Sequence, residues 1–175
     1  MSFDIVQAAQ AAKIASRHIA QLSTIEKNEL LVAIAQHIEA SASYILEENK
    51  KDIDNGRAKG LSEAMLDRLL LTESRVKDIA DAIREIVQLA DPVGKINELS
   101  MRPNGIQVGQ MTIPLGVIAM IYEARPNVTA EAAALCIKSG NAVILRGGSE
   151  ALHSNLALAK CLHESLSGAG VDKNV

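Results

Sequence analysis

The sequence contains very few aromatic residues and cysteines, and both shortages restrict what the protein can be. Only 2% of its 175 residues are aromatic and none is tryptophan, although 48% are hydrophobic. The core must therefore consist of alanine, isoleucine, leucine and valine, which suits helices packed on a small sheet. Two cysteines, Cys136 and Cys161, provide no disulfide framework and fit a reducing compartment.

Clustered positive charge and long apolar runs are also missing. The formal net charge is -3 and no Lys/Arg cluster is present, which argues against a nucleic-acid partner. No apolar run approaches the length of a membrane span. The first residues include Asp4 and lack the continuous apolar segment of a signal peptide. We therefore expect a cytoplasmic protein with no membrane partner.

Helical periodicity runs through the first ninety residues. The predicted helices begin at residues that can cap them, such as Ser23 and Thr72, and Gly60 can take the left-handed conformation that ends a helix. The predicted helices are Asp4–Gln21, Lys27–Ala40, Ser43–Lys59, Glu63–Leu71 and a segment from Thr72 to Leu89. We expect residues 1–97 to form a helical lead-in that ends at Asp91-Pro92-Val93-Gly94, because proline bars continuation of a helix.

After residue 97 the period of the apolar residues changes to two, which is typical of strands. Glu98–Arg102 and Ile106–Thr112 flank Pro103-Asn104-Gly105, which contains the Asn-Gly signal of a hairpin. An isolated two-stranded ribbon is marginally stable in water. We therefore expect residues 98–114 to pack on another domain or subunit.

Two short apolar runs, Val117–Ile121 and Ala142–Leu145, are each bounded by glycine or proline. They predict strands buried on both faces, each followed by a polar loop and a helix. Parallel strands joined by helices place both loops at the carboxyl edge of the sheet, where open α/β sheets bind ligands. Tyr122–Asn127 and Arg146–Glu150 are therefore expected to face one crevice. The predicted fold class is α/β, with residues 115–175 forming the first βαβα part of a parallel Rossmann-like sheet.

Two residues in these loops allow two interpretations each. Asn127 precedes a helix, so it is either a capping residue or an amide donor to a developing oxyanion. Arg146 is either a surface charge or an anion ligand. Two features favour the role of anion ligand: Gly147-Gly148 allows the backbone to approach a ligand closely, and a helix start contributes positive potential. The residues alone leave both pairs of alternatives open.

Other polar and sulfur-containing residues favour structural interpretations. Both cysteines lie between apolar residues on predicted helices and are expected to be small buried hydrophobes, since nothing near them would activate a thiol. The histidines show no metal-ligand spacing, so no metal site is predicted. Asp52-Ile53-Asp54-Asn55-Gly56 departs from the spacing of a calcium loop and is expected to be a solvated helix end.

The end of the chain suggests an unfinished sheet. Leu152–Leu166 is a predicted helix, and Val171–Val175 has the pattern of an approach to a third parallel strand. A sheet that stops there would leave an unpaired edge. On this reasoning the sequence is expected to be a fragment or to be truncated.

Several motifs together closely resemble the gamma-glutamyl phosphate reductases, a family within the aldehyde dehydrogenase superfamily. The resemblance covers essentially the whole chain, and its motifs are specific as a set. They are Asn49, Asp52 and Gly56, then Gly60–Ser62, Met65–Leu69, Asp91–Gly94, Pro114–Ile118, Tyr122–Asn127 and Leu145–Glu150. The resemblance implies an aldehyde-dehydrogenase-like fold and NADPH-dependent reduction of L-glutamyl 5-phosphate to L-glutamate 5-semialdehyde and phosphate, in proline biosynthesis.

The resemblance also implies roles for particular residues. In the superfamily a cysteine thiolate attacks the acyl carbon and an Asn amide holds the oxyanion, and Asn127 falls at the position of that Asn. A Lys and a Glu of the superfamily bind the adenosine ribose of NAD, and the matching stretch here is Arg146-Gly147-Gly148-Ser149. Arg146 keeps the cation and Ser149 replaces the acid, so NADP(H) is the expected cofactor. The nucleophile is expected beyond Val175, and Arg125 is a candidate ligand for the substrate carboxylate.

The same resemblance makes residues 98–114 an oligomerisation hairpin. It implies a homo-oligomer with a small-molecule substrate, and glutamate 5-kinase as a further partner. The alternative function is a non-catalytic fragment that binds nucleotide or only mediates assembly, because neither cysteine matches the superfamily nucleophile.

Overall fold

The computed structural model describes residues 4–175 and begins with five helices. Most of them start where the sequence supplies a cap: the side chains of Asp4, Ser23, Ser62 and Thr72 each accept a hydrogen bond from a backbone N–H of the following first turn. The helices are α1 (Ile5–Ile19), α2 (Thr24–Ala40), α3 (Ala42–Ala58), α4 (Glu63–Leu69) and α5 (Glu73–Gln88). The predicted helical character of the first ninety residues is confirmed.

A hairpin separates these helices from a β-α-β-α unit. The strands of the hairpin are β1 (Ile96–Met101) and β2 (Gln107–Met111), and those of the unit are β3 (Val117–Ile121) and β4 (Ala142–Arg146). Helix α6 (Pro126–Lys138) connects β3 to β4, and a single 3-10 turn (Ser149–Ala151) leads from β4 into α7 (Leu152–Gly168). The predicted α/β class is confirmed. No helix between residues 4 and 175 is long and apolar enough to cross a membrane.

The main core is aliphatic, as the composition predicts. Helices α2, α5, α6 and α7 pack together around side chains that are fully buried, among them Ile34, Ile38, Ile83 and Leu158. A smaller cluster lies where α3 and α4 meet the 3-10 turn, and it contains Ile53, Leu66, Leu69 and Ala151. This second cluster holds α4 next to the carboxyl ends of β3 and β4.

The hairpin forms at the predicted place, with its turn at Pro103-Asn104-Gly105. The backbone N–H of Arg102 donates to the carbonyl of Ile106 at 2.8 Å, and that of Gly105 donates to the carbonyl of Arg102 at 2.9 Å. Gly105 has φ +84°, so Pro103-Asn104 forms the turn and the glycine takes the left-handed position after it. Every residue of β1 and β2 is exposed, including Leu99 at 61% and Met111 at 59%.

The parallel strands are less buried than the sequence predicts. β3 and β4 form a two-stranded sheet in the part of the chain that the structure describes, and Ile121 is 77% exposed. The expectation of strands buried on both faces is therefore wrong, because the helices packed on the two strands, α1 and α6 among them, leave most of their side chains partly or fully exposed. The segment after Val171 is a turn in which the N–H of Val175 donates to the carbonyl of Asp172 at 3.1 Å, so the expected approach to a third strand stays a prediction.

Candidate functional site

The two strands of the parallel sheet end at the same level. Their register pairs Val117 with Ala142 and Ile121 with Arg146, and the N–H of Tyr122 donates to the carbonyl of Arg146 at 3.1 Å. Both following loops therefore leave the sheet side by side at its carboxyl edge. This juxtaposition agrees with the sequence prediction and with where open α/β sheets bind ligands.

A cleft of about 440 Å³ opens at this edge, and we call it the strand-end cleft. The loop after β3 and the loop after β4 form two of its walls, and helix α4 forms the third. Its lining includes Tyr122–Arg125, Arg146, Gly148, Glu150 and, from α4, Met65 and Arg68. Three arginines and two glutamates thus line one space.

Asn127 lies in a second, neighbouring cleft of about 400 Å³, the α6 cleft. This cleft also contains Arg75 from α5 and Glu131 from α6, and it shares Arg68 and Arg125 with the strand-end cleft. The prediction of a single crevice for both loops is therefore wrong in this respect. The reason is that Pro126 starts α6 immediately, so the next residue belongs to a helix and lines the space between α6, α4 and α5.

Asn127 is not the cap of α6. The N-cap is Arg125, which makes no side-chain capping bond, and Asn127 is the second residue of the helix. Its Nδ2 donates to Oε1 of Glu131, one turn further on, at 3.0 Å. The interpretation of Asn127 as a capping residue is therefore wrong. Because the amide nitrogen carries two hydrogens, one donor remains for a ligand in the α6 cleft.

The two glycines after β4 allow the loops to lie against each other. A Cβ on Gly147 would lie 2.2 Å from Nδ2 of Asn155, and one on Gly148 would lie 3.1 Å from the backbone nitrogen of Ala124. Neither position can accept a side chain unless its surroundings move. Packing beneath the cleft therefore favours glycine at both positions. The sequence motif alone does not distinguish this cause from contact with a ligand.

A hydrogen-bonded chain beneath the loops joins β3, α6 and α7. The hydroxyl of Tyr122 lies 2.6 Å from Oγ1 of Thr129, which in turn donates to Oδ1 of Asn155 at 2.9 Å. Burial raises the pKa of Tyr122, so its hydroxyl stays protonated and serves as a donor. These hydrogen bonds hold Tyr122, which lines the strand-end cleft, against α6 and α7.

The start of α7 is already occupied by a carboxylate of the chain. Oδ1 of Asp52 accepts from the N–H of His153 at 3.0 Å, and Oδ2 accepts from the N–H of Ser154 at 2.8 Å. Asp52 is only 2% exposed, so the expected solvated helix end at residues 52–56 is wrong at this residue. The N–H groups of His153 and Ser154 at this helix start already have an acceptor within the protein and are not open to a ligand at Arg146.

Arg146 itself is exposed at the mouth of the strand-end cleft. Its guanidinium makes no hydrogen bond or ion pair with another of residues 4–175. It is therefore a cation available to a ligand and a candidate for binding an anion.

Sequence reasoning overlooked one acid beside Arg146. Glu150 lines the strand-end cleft, and its Oε1 accepts a hydrogen bond from the hydroxyl of Ser149 at 3.2 Å. Ser149 replaces the superfamily's acid, but the next residue supplies a carboxylate to the same loop. The signal was present in the sequence as the dipeptide Ser-Glu.

Arg68 was overlooked as well, because its place depends on packing. Leu66 and Leu69 bury one side of α4 against α3, and Arg68 lines both clefts from that short helix. Its motif contributes to the family resemblance, but no local pattern links it to residues almost sixty positions later.

Neither cysteine is arranged to act as a nucleophile. Cys136 on α6 and Cys161 on α7 are buried, and burial raises the pKa of both thiols, which disfavours the thiolate. Within residues 4–175 there is also no group of three or more His, Cys, Asp or Glu side chains that could hold a metal ion.

The comparisons with known proteins agree with one another. Residues 2–175 match the family model described as the aldehyde dehydrogenase family. The chain is 67% identical over 173 residues to the gamma-glutamyl phosphate reductase of Colwellia psychrerythraea. The aligned region covers 99% of this chain and 41% of that protein. This chain therefore spans about two-fifths of the length of that relative.

Two solved structures carry the same name. The crystal structure of the gamma-glutamyl phosphate reductase from Thermotoga maritima superposes with a TM-score of 0.96 at 34% identity, over 98% of this chain and 42% of that one. The enzyme from Saccharomyces cerevisiae gives a TM-score of 0.90 at 32% identity, over 96% of this chain and 44% of that one.

Proposed function

The chain belongs to the aldehyde dehydrogenase family, and from this membership we propose that the protein containing it reduces L-glutamyl 5-phosphate to L-glutamate 5-semialdehyde and phosphate. The reaction uses NADPH and serves proline biosynthesis in the cytoplasm. The family resemblance predicted from the sequence is confirmed. The observation that carries the proposal is the pair of adjoining clefts at the carboxyl edge of β3 and β4, one with Arg146 and the other with Asn127.

The residues of the strand-end cleft fit an anionic dinucleotide. Arg146 offers an available guanidinium, Ser149 offers a hydroxyl, and Gly147-Gly148 keep the loop close to the sheet edge. The family implies a nicotinamide cofactor, which supplies hydride when bound. We assign its 2′-phosphate to Arg146 and Ser149, with Glu150 as a neighbouring charge that limits the preference for NADP(H).

In the α6 cleft, Asn127 is positioned to stabilise negative charge. An amide N–H aimed at the oxygen of the reacting acyl group would favour the tetrahedral oxyanion over the ground-state carbonyl. Glu131 holds one N–H of this amide and so fixes its orientation. The thiol that attacks the acyl carbon is neither Cys136 nor Cys161, because both are buried with raised pKa values.

Arg125 and Arg68 lie between the two clefts and are the candidate ligands for the anionic groups of the substrate. L-Glutamyl 5-phosphate carries a carboxylate and a phosphate, and a guanidinium can bind either in a bidentate manner. Arg125 was predicted for the carboxylate, and the shared lining adds Arg68 as its partner.

The exposed hairpin supports assembly as a second function of this chain. Its apolar side chains, Leu99 and Met111 among them, have no cover within the described residues. We propose that they pair with a second subunit in a homo-oligomer, and that glutamate 5-kinase is a further partner because it makes the labile substrate. A chain that only binds nucleotide or mediates assembly is the alternative, and the buried cysteines favour it for residues 1–175 taken alone.

Nucleotide binding by matched arginine variants tests the proposal. Arg146→Gln in the intact protein should weaken NADPH binding about tenfold or more, because a guanidinium–phosphate contact is lost. Arg102→Gln, which removes an exposed arginine of the hairpin, should leave the affinity unchanged. Equal NADPH affinity in the wild-type protein and in both variants would overturn the assignment of the cleft.

A further inference from the structure

A buried polar cluster joins two of the walls of the strand-end cleft, helix α4 and the loop after β4, from behind. It consists of Asn49 and Asp52 on α3 and Ser154 on α7, and we call it the α3–α7 bracket. We propose that Asp52 is a positioning residue, which through this bracket sets the place of the Arg146–Glu150 segment toward the ligand. The ligand named here, NADPH, rests on the proposed function.

Asp52 holds the segment through its attachment to α7. Its carboxylate accepts three hydrogen bonds: from the N–H of His153 at 3.0 Å, from the N–H of Ser154 at 2.8 Å and from the hydroxyl of Ser154 at 2.6 Å. Glu150 lies within the 3-10 turn that leads into α7, and His153 follows it by three residues. A shift at the start of α7 is therefore transmitted directly to the residues that line the cleft.

Asn49 ties the opposite wall to the same point. Its Nδ2 donates to the carbonyl of Leu69 at 2.8 Å, and its Oδ1 accepts from the N–H of Leu71 at 2.8 Å, so it holds the backbone directly after Arg68. The same Nδ2 lies 2.9 Å from the hydroxyl of Ser154. The hydroxyl thus connects the wall of α4 with the wall formed by the loop after β4.

The composition of the bracket favours a positioning role over a purely stabilising one. Asp52, Asn49 and Ser154 are each at most 2% exposed, and Asp52 has no cationic partner within the described residues. A buried ionised group costs desolvation energy, and apolar packing commonly stabilises a fold at least as well. The polar groups instead specify one geometry, because each donor and acceptor can be satisfied in only one arrangement of the backbone.

The test uses isosteric variants in the intact protein. Asp52→Asn cannot accept all three hydrogen bonds, since its amide nitrogen must face a backbone or hydroxyl donor. Ser154→Ala is a milder second variant that removes only the connecting hydroxyl. Asp54→Asn is the matched control, because it removes the same charge from an exposed position of the same helix.

Two measurements on folded protein, well below its unfolding temperature, distinguish positioning from stability. Hydrogen exchange at the amides of His153 and Ser154 should become at least about tenfold faster in Asp52→Asn, because their acceptor is weakened. The Kd for NADPH, from fluorescence titration, should rise about tenfold in Asp52→Asn and less in Ser154→Ala. Asp54→Asn should change neither quantity.

The outcomes separate this inference from the proposed function. Faster exchange together with a raised Kd supports positioning by Asp52. An unchanged Kd in both bracket variants, with wild-type protein that binds NADPH, overturns it and leaves the bracket a structural contact. Wild-type protein that binds no NADPH overturns the cofactor assignment and this inference together, because the segment then has no ligand to be positioned for.

Discussion

Cofactor preference should respond in opposite directions to two charge changes at adjacent positions of the loop after β4. Ser149→Glu adds a carboxylate beside Arg146, and Glu150→Gln removes the one already present. In our assignment the 2′-phosphate of NADPH lies against Arg146 and Ser149, so the first change should weaken NADPH relative to NADH and the second should strengthen it. NADH lacks this phosphate and provides the internal reference.

The size of the effect follows from the separation of the charges. A carboxylate about 6 Å from a group of roughly two negative charges, at an effective dielectric constant of about 40–80, is repelled by about 1–3 kcal/mol. This corresponds to a change of about tenfold or more in relative affinity. The hydrogen bond from Ser149 to Glu150, at 3.2 Å, shows that the carboxylate already present is within this range of the site.

Steady-state kinetics with both cofactors, in the intact protein and both variants, provides the readout. The ratio of kcat/KM for NADPH to that for NADH should fall in Ser149→Glu and rise in Glu150→Gln. If both variants keep the wild-type ratio, the phosphate does not lie against this loop and the electrostatic reasoning fails.

Three further predictions follow from other parts of the structure. Asn127→Ala in the intact protein should lower turnover about 100- to 1000-fold with little change in the KM for NADPH, and near-normal turnover would exclude an oxyanion role. Purified residues 1–175 should oxidise no NADPH in the presence of L-glutamyl 5-phosphate, since both thiols are buried; measurable turnover would refute this. Burial opposes ionisation of Asp91, but hydrogen bonds from Lys27, the N–H of Val93 and Thr24 outweigh it and lower the pKa. Its stabilising effect is therefore complete above its ordinary pKa of about 3.9 and is lost as the pH falls through the lower value in the folded state. The melting temperature of Asp91→Asn should accordingly depend less on pH in this acidic range than that of the wild type, and parallel profiles would contradict the assignment.

The helices and the parallel strand pair could be predicted because their signals are local. Ser23 with Glu26 forms the capping box that starts α2, and Gly60 takes the left-handed conformation that ends α3, with φ +74°. Because β3 and β4 pair in parallel, their carboxyl ends lie at the same edge of the sheet. These features depend on residues a few positions apart, or on a rule that holds for nearly all β-α-β units.

The cleft walls could not be predicted because they depend on distant contacts. Asp52 lies in a polar stretch whose sequence suggests a solvated helix end. Its carboxylate nevertheless accepts hydrogen bonds from two backbone N–H groups that lie 101 and 102 residues later in the chain. Arg68 reaches the site only because the buried side of α4 packs on α3. The division into two clefts likewise depends on how α6 packs against α5, with a cleft left between these helices and α4. The order of residues around Pro126 does not reveal this packing.

The most direct test of the central claim is NADPH oxidation by the intact protein, with L-glutamyl 5-phosphate generated in the assay from L-glutamate and ATP by glutamate 5-kinase. We predict that NADPH is consumed, that L-glutamate 5-semialdehyde appears in an amount equal to the NADPH consumed, and that Arg146→Gln raises the KM for NADPH about tenfold or more. Absence of NADPH consumption by wild-type protein that is folded and supplied with fresh substrate would contradict the proposed function.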